Sequence, residues 1–220
     1  MEKRVTISEL RRQTDSELLE LADFIYRNIF LYYTQKQWDI TPENIDPSVT
    51  ARVPILISYD NRYFQDTYQG IPLDGYTSLF ENLINHRNIS LQLNTDSASV
   101  LKLIGNRILF NGKPFSGRVI YTGALDELFG CRFGRLPYRT LDFLFETYEK
   151  TWYQSKGTVN YTVDQLFTRI TEFKHLTGQS IPDKTTIMKE YPREYTGDGK
   201  EIPYYAIINP KNSALYEKYK

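Results

Sequence analysis

Aromatic side chains are the residues of this sequence most suited to recognising a ligand, with 18 Tyr and 12 Phe in a chain of 220. A tyrosine ring can stack on a base or sugar and donate a phenolic hydrogen bond, but tyrosine is also common on half-buried strand faces. Tyr33 and Trp38 fall at the end of a predicted helix, where they could form a stacking platform or fill the core. Composition alone leaves both interpretations open.

Other kinds of chemistry are disfavoured by what the sequence contains. The 27 basic and 27 acidic side chains balance, whereas nucleic-acid and membrane-surface proteins need a basic excess. His86 and His175 lie far apart, and the single Cys131 has no cysteine partner, so we expect neither a zinc site nor a disulfide. No apolar run approaches 20 residues and the first residues do not resemble a secretory signal, so a cytoplasmic location is expected.

The elements that must position these residues can be predicted from periodicity. Apolar residues at helical spacing predict a long helix over residues 14–38, capped by Asp15 or Ser16, followed by an exposed polar loop over 39–51. A hairpin is predicted over 100–116, with turns at 105–106 and 111–112. Strands are predicted at 53–59, 118–122, 138–146, 158–162, 168–176, 185–191 and 203–208, with helical spacing again at 209–220. The fold class expected is α+β, with an N-terminal helical segment packed beside a twisted, mainly antiparallel sheet.

Several short sequence motifs occur along the chain in an order that can be compared with known families. They are YYTQKQW at 32–38, SYDNRYF at 58–64, YQGIP at 68–72, GYT at 75–77, YTG at 121–123, RFG at 132–134, YR at 138–139, TRI at 168–170, KEYP at 189–192 and PYY at 203–205. In order and spacing, this set resembles the UDP-galactopyranose mutases from about residue 18 to residue 220.

The resemblance implies a pocket for UDP-galactose or UDP. Tyr33 matches the tyrosine that stacks on uracil, and Trp38 the tryptophan on the ribose and sugar side. Arg52, on a mobile loop, and Arg169 match the arginines that neutralise the diphosphate, whose oxygen pairs suit a guanidinium fork. Further pocket contacts implied by the resemblance are Tyr63, Arg139, Asn160 and Tyr205.

The resemblance also implies what this sequence lacks. In the family, reduced FAD is the nucleophile, so no catalytic residue is expected on this chain. No G-x-G-x-x-G segment for a flavin diphosphate occurs, and the family's C-terminal stretch is missing. We therefore expect an inactive fragment that binds no FAD alone and whose partner is the missing flavin-binding portion. The resemblance also implies flavin contacts at Tyr121, Thr122 and Gly123.

The predicted organisation is a helical substrate-binding segment at 1–52 with the mobile loop, and a sheet-dominated region at 53–220. Within the latter, 70–96 and 118–130 are assigned to a remnant of an α/β flavin-binding domain. Two alternatives stay open for the function: a non-catalytic UDP or nucleotide-sugar binding module, and a Tyr-rich interaction domain. A homodimer is also left open, and neither a nucleic-acid nor a membrane partner is expected.

Overall fold

The computed structural model describes residues 3–60, 62 and 64–220, which divide into two compact units. The first unit comprises residues 1–69 and 137–214, and the second comprises 70–136 and 215–220. Among the described residues, no helix is long and apolar enough to cross a membrane.

The first unit begins with a helical part enclosed by a short strand pair. Strands β1 (Lys3–Val5) and β2 (Ile55–Ile57) pair antiparallel. Between them lie α1 (Ile7–Leu10), α2 (Ser16–Ile25), a π-helix (Tyr26–Leu31), α3 (Tyr32–Trp38), a 3-10 turn (Pro42–Asn44) and α4 (Pro47–Ala51). The predicted long helix over 14–38 is thus confirmed in extent, with a π-helical stretch in its middle.

The ends of this helix follow from local chemistry. The Asp15 side chain accepts hydrogen bonds from the backbone amides of Glu17 at 2.9 Å and Leu18 at 3.1 Å, as an N-cap does. At the other end, Asp39 adopts a left-handed conformation with φ 59°, which stops the helix directly after Trp38. The last turn of α3 therefore presents its aromatic residues at a fixed position.

The predicted exposed loop over 39–51 is wrong in part. Residues 42–51 form the 3-10 turn and α4, and the side chains of Ile45 and Val49 are buried. The Asp46 side chain caps α4 by accepting from Ser48 N at 2.8 Å, and Asp46 N donates to the Ile208 carbonyl at 3.1 Å. Two apolar side chains in a polar, Pro-containing stretch were enough to anchor it.

The rest of the first unit is an antiparallel sheet. Its strands are β6 (Tyr138–Tyr148), β7 (Thr158–Asn160), β8 (Arg169–Glu172), β9 (Thr185–Glu194) and β10 (Tyr205–Ala206). Among the described residues their order is β10-β6-β9-β8-β7. The longest pair, β6 and β9, runs in register from Arg139 opposite Glu194 to Tyr148 opposite Thr185. One face buries Phe167, Ile170 and Ile187 beneath surrounding tyrosines.

The predicted strand over 168–176 is wrong in its second half. Strand β8 ends at Glu172, and α8 (Phe173–Thr177) follows and stops at Gly178, whose φ is 67°. The Lys174 ammonium donates to the carbonyl oxygens of Thr151 at 2.8 Å and Lys184 at 3.0 Å. These hydrogen bonds of the buried lysine stabilise a helical turn here. The alternation of apolar residues, from which the strand was predicted, does not indicate such a turn.

The helical part and the sheet are joined by polar contacts at α3. Arg139 Nε on β6 donates to the Gln37 carbonyl oxygen at 3.1 Å. Lys36 Nζ donates to the carbonyl oxygens of Tyr161, of Gln165 at 3.0 Å and of Phe167 at 3.4 Å. The α+β class, with helices beside an antiparallel sheet, is therefore confirmed.

The second unit contains α5 (Gly75–Ile84), α6 (Ser97–Val100), β3 (Leu101–Ile104), β4 (Arg107–Phe110), β5 (Lys113–Pro114) and α7 (Leu125–Leu128). The hairpin and its turns are confirmed, since β3 pairs with β4 and β4 with β5. The strand predicted at 118–122 is wrong, because this segment pairs with no strand of the described residues. The final helix α9 (Pro210–Tyr216) follows β10 in the sequence, and the domain bounds predicted at 1–52 and 53–220 stay a prediction.

Candidate functional site

A cavity of about 240 Å³ lies in the first unit, where α3 meets the sheet and α4. Its apolar wall is formed by Ile29, Phe30 and Val49 from the helical segments and by Val53, which follows α4. Its polar and aromatic wall includes six of the predicted site residues: Tyr33, Trp38, Arg52, Asn160, Arg169 and Tyr205. Residues more than 100 positions apart in sequence are thus brought to one concave site.

The aromatic side of the cavity is formed by α3 and β10. Tyr33 and Trp38 both line it from the last two turns of α3. The Trp38 ring meets the Tyr205 ring edge-on, with centroids 6.1 Å apart and an interplanar angle of 61°. Such a packed pair holds the indole in one orientation, which lowers the entropy lost when a ligand binds against it.

Arg169 supplies a positioned cation on the sheet side. Its Nε donates to Asn160 Oδ1 at 3.0 Å, across the β7–β8 pairing that sets these two residues opposite each other. Its Nη1 lies 3.6 Å from Glu190 Oε1, on the neighbouring strand β9. With Nε and Nη1 both held by neighbouring strands, the guanidinium is fixed before any anion arrives.

Asn160 therefore has two roles, as a residue that lines the cavity and as one that positions Arg169. Its side-chain oxygen is engaged by Arg169, so it orients that guanidinium as well as lining the cavity. Glu190 on β9, only 8% exposed, also orients the Arg169 guanidinium. The sequence did not predict Glu190 as a site residue. Glu190 could have been predicted only from the strand register, because Arg169 and Glu190 are direct partners on β8 and β9.

Arg52 reaches the cavity from the C-terminal end of α4. Its side chain is exposed, and among the described residues no carboxylate forms an ion pair with it. An exposed cation at the rim of an apolar cavity is suited to an anionic ligand, because the ligand replaces only water around it.

Tyr205 is a hydrogen-bond donor at neutral pH. Burial raises the pKa of its phenol, Glu190 and Tyr204 add to the rise, and the Arg169 charge opposes it. The hydroxyl therefore keeps its proton and can donate to an oxygen of a bound ligand.

Among the described residues, the predicted pocket residue Arg139 does not line this cavity. Arg139, on β6, is 7% exposed, and its Nε donates to the Gln37 carbonyl oxygen. The side chain therefore stabilises the end of α3. Burial lowers the pKa of this guanidinium, while Asp39 and Glu194 oppose that change. Tyr63 lies outside the described residues. Its predicted phosphate contact stays a prediction.

The predicted flavin contacts belong to the second unit. Tyr121 lines a separate cavity of about 640 Å³ there, beside Asp96, Glu127 and Arg132. A side chain on Gly123 would come within 2.5 Å of the Tyr121 hydroxyl oxygen, so the glycine lets that ring fold back over the chain. Thr122 lies between them without regular structure.

These residues do not fit a flavin-diphosphate cradle by themselves. Such a cradle is a strand, a Gly-rich turn and a helix N-terminus. In the second unit, α5 begins at Gly75 after irregular chain, and the cavity near Tyr121 carries two carboxylates. Among the described residues, no group of three or more His, Cys, Asp or Glu side chains could hold a metal ion.

Comparison with known proteins gives consistent results. The UDP-galactopyranose mutase family matches residues 28–220. A UDP-galactopyranose mutase of Mycoplasma pneumoniae is 34% identical over 99% of this chain and 55% of its own length. A dTDP-fucopyranose mutase of Escherichia coli is 34% identical over 97% of this chain and 55% of its own length.

A probable UDP-galactopyranose mutase of Klebsiella pneumoniae is also 34% identical, over 99% of this chain and 56% of its own length. The chain thus spans about half the length of the curated relatives it matches. Because the family match covers most of the 220 residues and the similarity extends over both units, the chain belongs to the UDP-galactopyranose mutase family.

Proposed function

We propose that this chain is the nucleotide-sugar-binding part of a flavin-dependent UDP-galactopyranose mutase, which interconverts UDP-galactopyranose and UDP-galactofuranose. One observation carries the proposal: two aromatic residues of α3 and two arginines from other elements line a single cavity. Aromatic rings suit a nucleoside and guanidinium groups suit a diphosphate, so the combination is that of a nucleoside-diphosphate site.

Within this site, Tyr33 stacks on the base and Trp38 lies against the ribose and sugar. Arg169 and Arg52 bind the diphosphate, and the Tyr205 hydroxyl donates to one of its oxygens. Two cations near the diphosphate stabilise the charge that develops when the bond from the sugar to UDP breaks. A volume of about 240 Å³ is below the roughly 300–1,000 Å³ of a complete small-molecule site, which suits part of a nucleotide sugar.

The chemistry belongs to the longer protein. Reduced FAD would be held by a portion outside these 220 residues and would supply the nucleophile, and this chain supplies binding and orientation. The apolar stripe of α5 supports the existence of such a portion. Its residues Tyr76, Leu79, Phe80 and Leu83 recur at helical spacing, yet none is buried. We therefore propose that the 220-residue chain alone binds UDP and has no mutase activity.

A dTDP-sugar is a second candidate ligand. The dTDP-fucopyranose mutase is as similar to this chain as the UDP-galactopyranose mutases are, at 34% identity in each case. Both nucleotides present a pyrimidine for Tyr33 and a diphosphate for the arginines, so the features above fit either one.

The test is a titration of the purified chain with UDP and then with dTDP, followed by tryptophan fluorescence. We expect UDP to change the emission of Trp38 with saturation, and the tighter-binding of the two identifies the natural nucleotide. Tyr33→Ala should weaken binding about 5- to 150-fold, which corresponds to the roughly 1–3 kcal/mol of one base stack. An absorbance spectrum of the same sample should lack stoichiometric flavin.

The chain contains its own control in Trp152, which stacks on His175 away from the cavity with ring centroids 4.3 Å apart. Trp152→Phe should keep the UDP response, and Trp38→Phe should abolish it. A chain that ignores millimolar UDP and dTDP would contradict the proposed pocket. Tightly bound yellow flavin would contradict the proposal that the cofactor site lies elsewhere.

A further inference from the structure

Gln37 is a polar, cavity-lining residue whose carboxamide is not used in the proposed nucleoside-diphosphate site. Gln37 lies on α3 between Tyr33 and Trp38, lines the cavity and is 3% exposed. Its side-chain nitrogen Nε2 is buried, and no residue of the described chain accepts a hydrogen bond from it.

A buried donor without an acceptor lowers the stability of the unliganded chain. An amide nitrogen that is removed from water without an acceptor loses its hydration and regains nothing. An apolar side chain of the same length, such as methionine, would fill the space without that cost. The unpaired group is therefore explained best by an acceptor that arrives with a ligand.

The position of Gln37 indicates which part of the ligand it meets. Tyr33 and Gln37 are four residues apart, so they lie on the same side of α3 about one helical turn, or roughly 5.4 Å, from each other. The cations that suit a diphosphate come from other elements, Arg52 from α4 and Arg169 from β8. The backbone at Gln37 is itself fixed, because its carbonyl accepts from Arg139.

We propose that the Gln37 carboxamide donates a hydrogen bond to an acceptor oxygen of the nucleoside, a base carbonyl or a ribose hydroxyl, and so contributes to nucleotide specificity. This inference rests on the proposed nucleoside-diphosphate site. It adds a polar contact beside the stacking ring, where aromatic packing alone discriminates weakly between bases.

The test compares the intact chain with Gln37→Met, which keeps the length and helix propensity of the side chain and removes its donor. UDP affinity should fall about tenfold or more, because a ligand oxygen is then left unpaired. The melting temperature without ligand should stay the same or rise. Gln35→Met is the matched control, since Gln35 is an exposed glutamine of the same helix, and it should alter neither quantity.

Two analogues identify the accepted oxygen. CDP carries an amino group in place of one base carbonyl, and 2′-deoxyuridine diphosphate lacks one ribose hydroxyl. The analogue that binds equally to the original chain and to Gln37→Met lacks the oxygen concerned. If the substitution weakens all three nucleotides, the acceptor is an oxygen that they share.

The outcomes separate this inference from the proposed function. If the original chain does not bind UDP, both fall together. If it binds UDP and Gln37→Met binds equally well, this inference is wrong and the proposed site stands. A Gln37→Met chain that melts earlier or fails to fold would show that the carboxamide is paired within the fold, which also overturns the inference.

Discussion

Glu172 illustrates how single residues of this chain are stabilised. Its carboxylate is fully buried and accepts from the backbone amides of Tyr153 at 3.0 Å and Gln154 at 2.9 Å, and from Thr185 Oγ1 at 2.6 Å. Burial alone would raise the pKa of this carboxyl. The hydroxyl and the two amides outweigh that effect and hold the pKa below its usual value.

A pH dependence of stability follows from the depressed pKa of Glu172. Because the unfolded carboxyl takes up a proton first, its stabilising contribution is present above pH ~4.3 and is lost as the pH falls through the folded pKa. Glu172→Gln should lower the free energy of unfolding at pH 7 by about 1.5–3 kcal/mol and flatten its decline in acid. Urea denaturation at several pH values measures both.

The control for that prediction is Glu149→Gln, which removes an exposed carboxylate 3.9 Å from Lys184. It should change the free energy of unfolding by less than about 0.5 kcal/mol. If Glu172→Gln were equally neutral at every pH, the buried carboxylate would not stabilise the fold.

At the same scale, residue types could be predicted better than residue partners. The family resemblance selected six residues that the structure brings to one cavity, among them Tyr33 and Arg169. It did not distinguish Arg139, which braces α3, from Arg169, which lines the site. Both are arginines on strands of one sheet, β6 and β8, and only strand register and burial distinguish their roles.

Among the elements, α3 is held to the sheet by two cationic side chains, Arg139 and Lys36. The Lys36 ammonium is held by three carbonyl oxygens in the chain around residues 161–167, and burial lowers the pKa of this lysine while Asp164 opposes the change. The helix that carries Tyr33 and Trp38 is thereby fixed to the loop that leads into β8.

Lys36→Met should lower the free energy of unfolding by about 1–3 kcal/mol, because it leaves buried carbonyl oxygens without a donor. It should also weaken UDP binding, since the end of α3 loses its position. Equilibrium denaturation and the UDP titration measure the two effects. Lys211→Met, at an exposed lysine of α9, is the control and should leave both unchanged. A neutral Lys36→Met would mean that packing and the Arg139 hydrogen bond hold α3 without the lysine.

Element types were predictable where periodicity is strong and failed where a tertiary contact decides. The helix over 14–38 and the hairpin over 100–116 follow from sequence patterns. The π-helix at Tyr26–Leu31 does not, because an i to i+5 hydrogen-bond pattern has no signature in residue type. Residues 118–122 have a strand-like composition but no neighbouring strand in the described chain, so pattern alone misled there.

At the scale of the whole molecule, the two units differ in how much they bury. The first unit holds the apolar clusters around Phe30 and around Ile187, and it contains the proposed site. In the second unit, α5 buries no residue. Among the described residues, the first unit therefore contains both apolar clusters, and the apolar stripe of α5 in the second unit stays uncovered.

The central claim is that one cavity receives both the base and the diphosphate of a nucleotide. A crystal structure of the 220-residue chain with UDP tests it most directly. We predict uracil stacked on Tyr33 and phosphate oxygens within about 3 Å of the Arg52 and Arg169 guanidinium groups. UDP bound elsewhere, or with its diphosphate directed away from both arginines, would contradict the account.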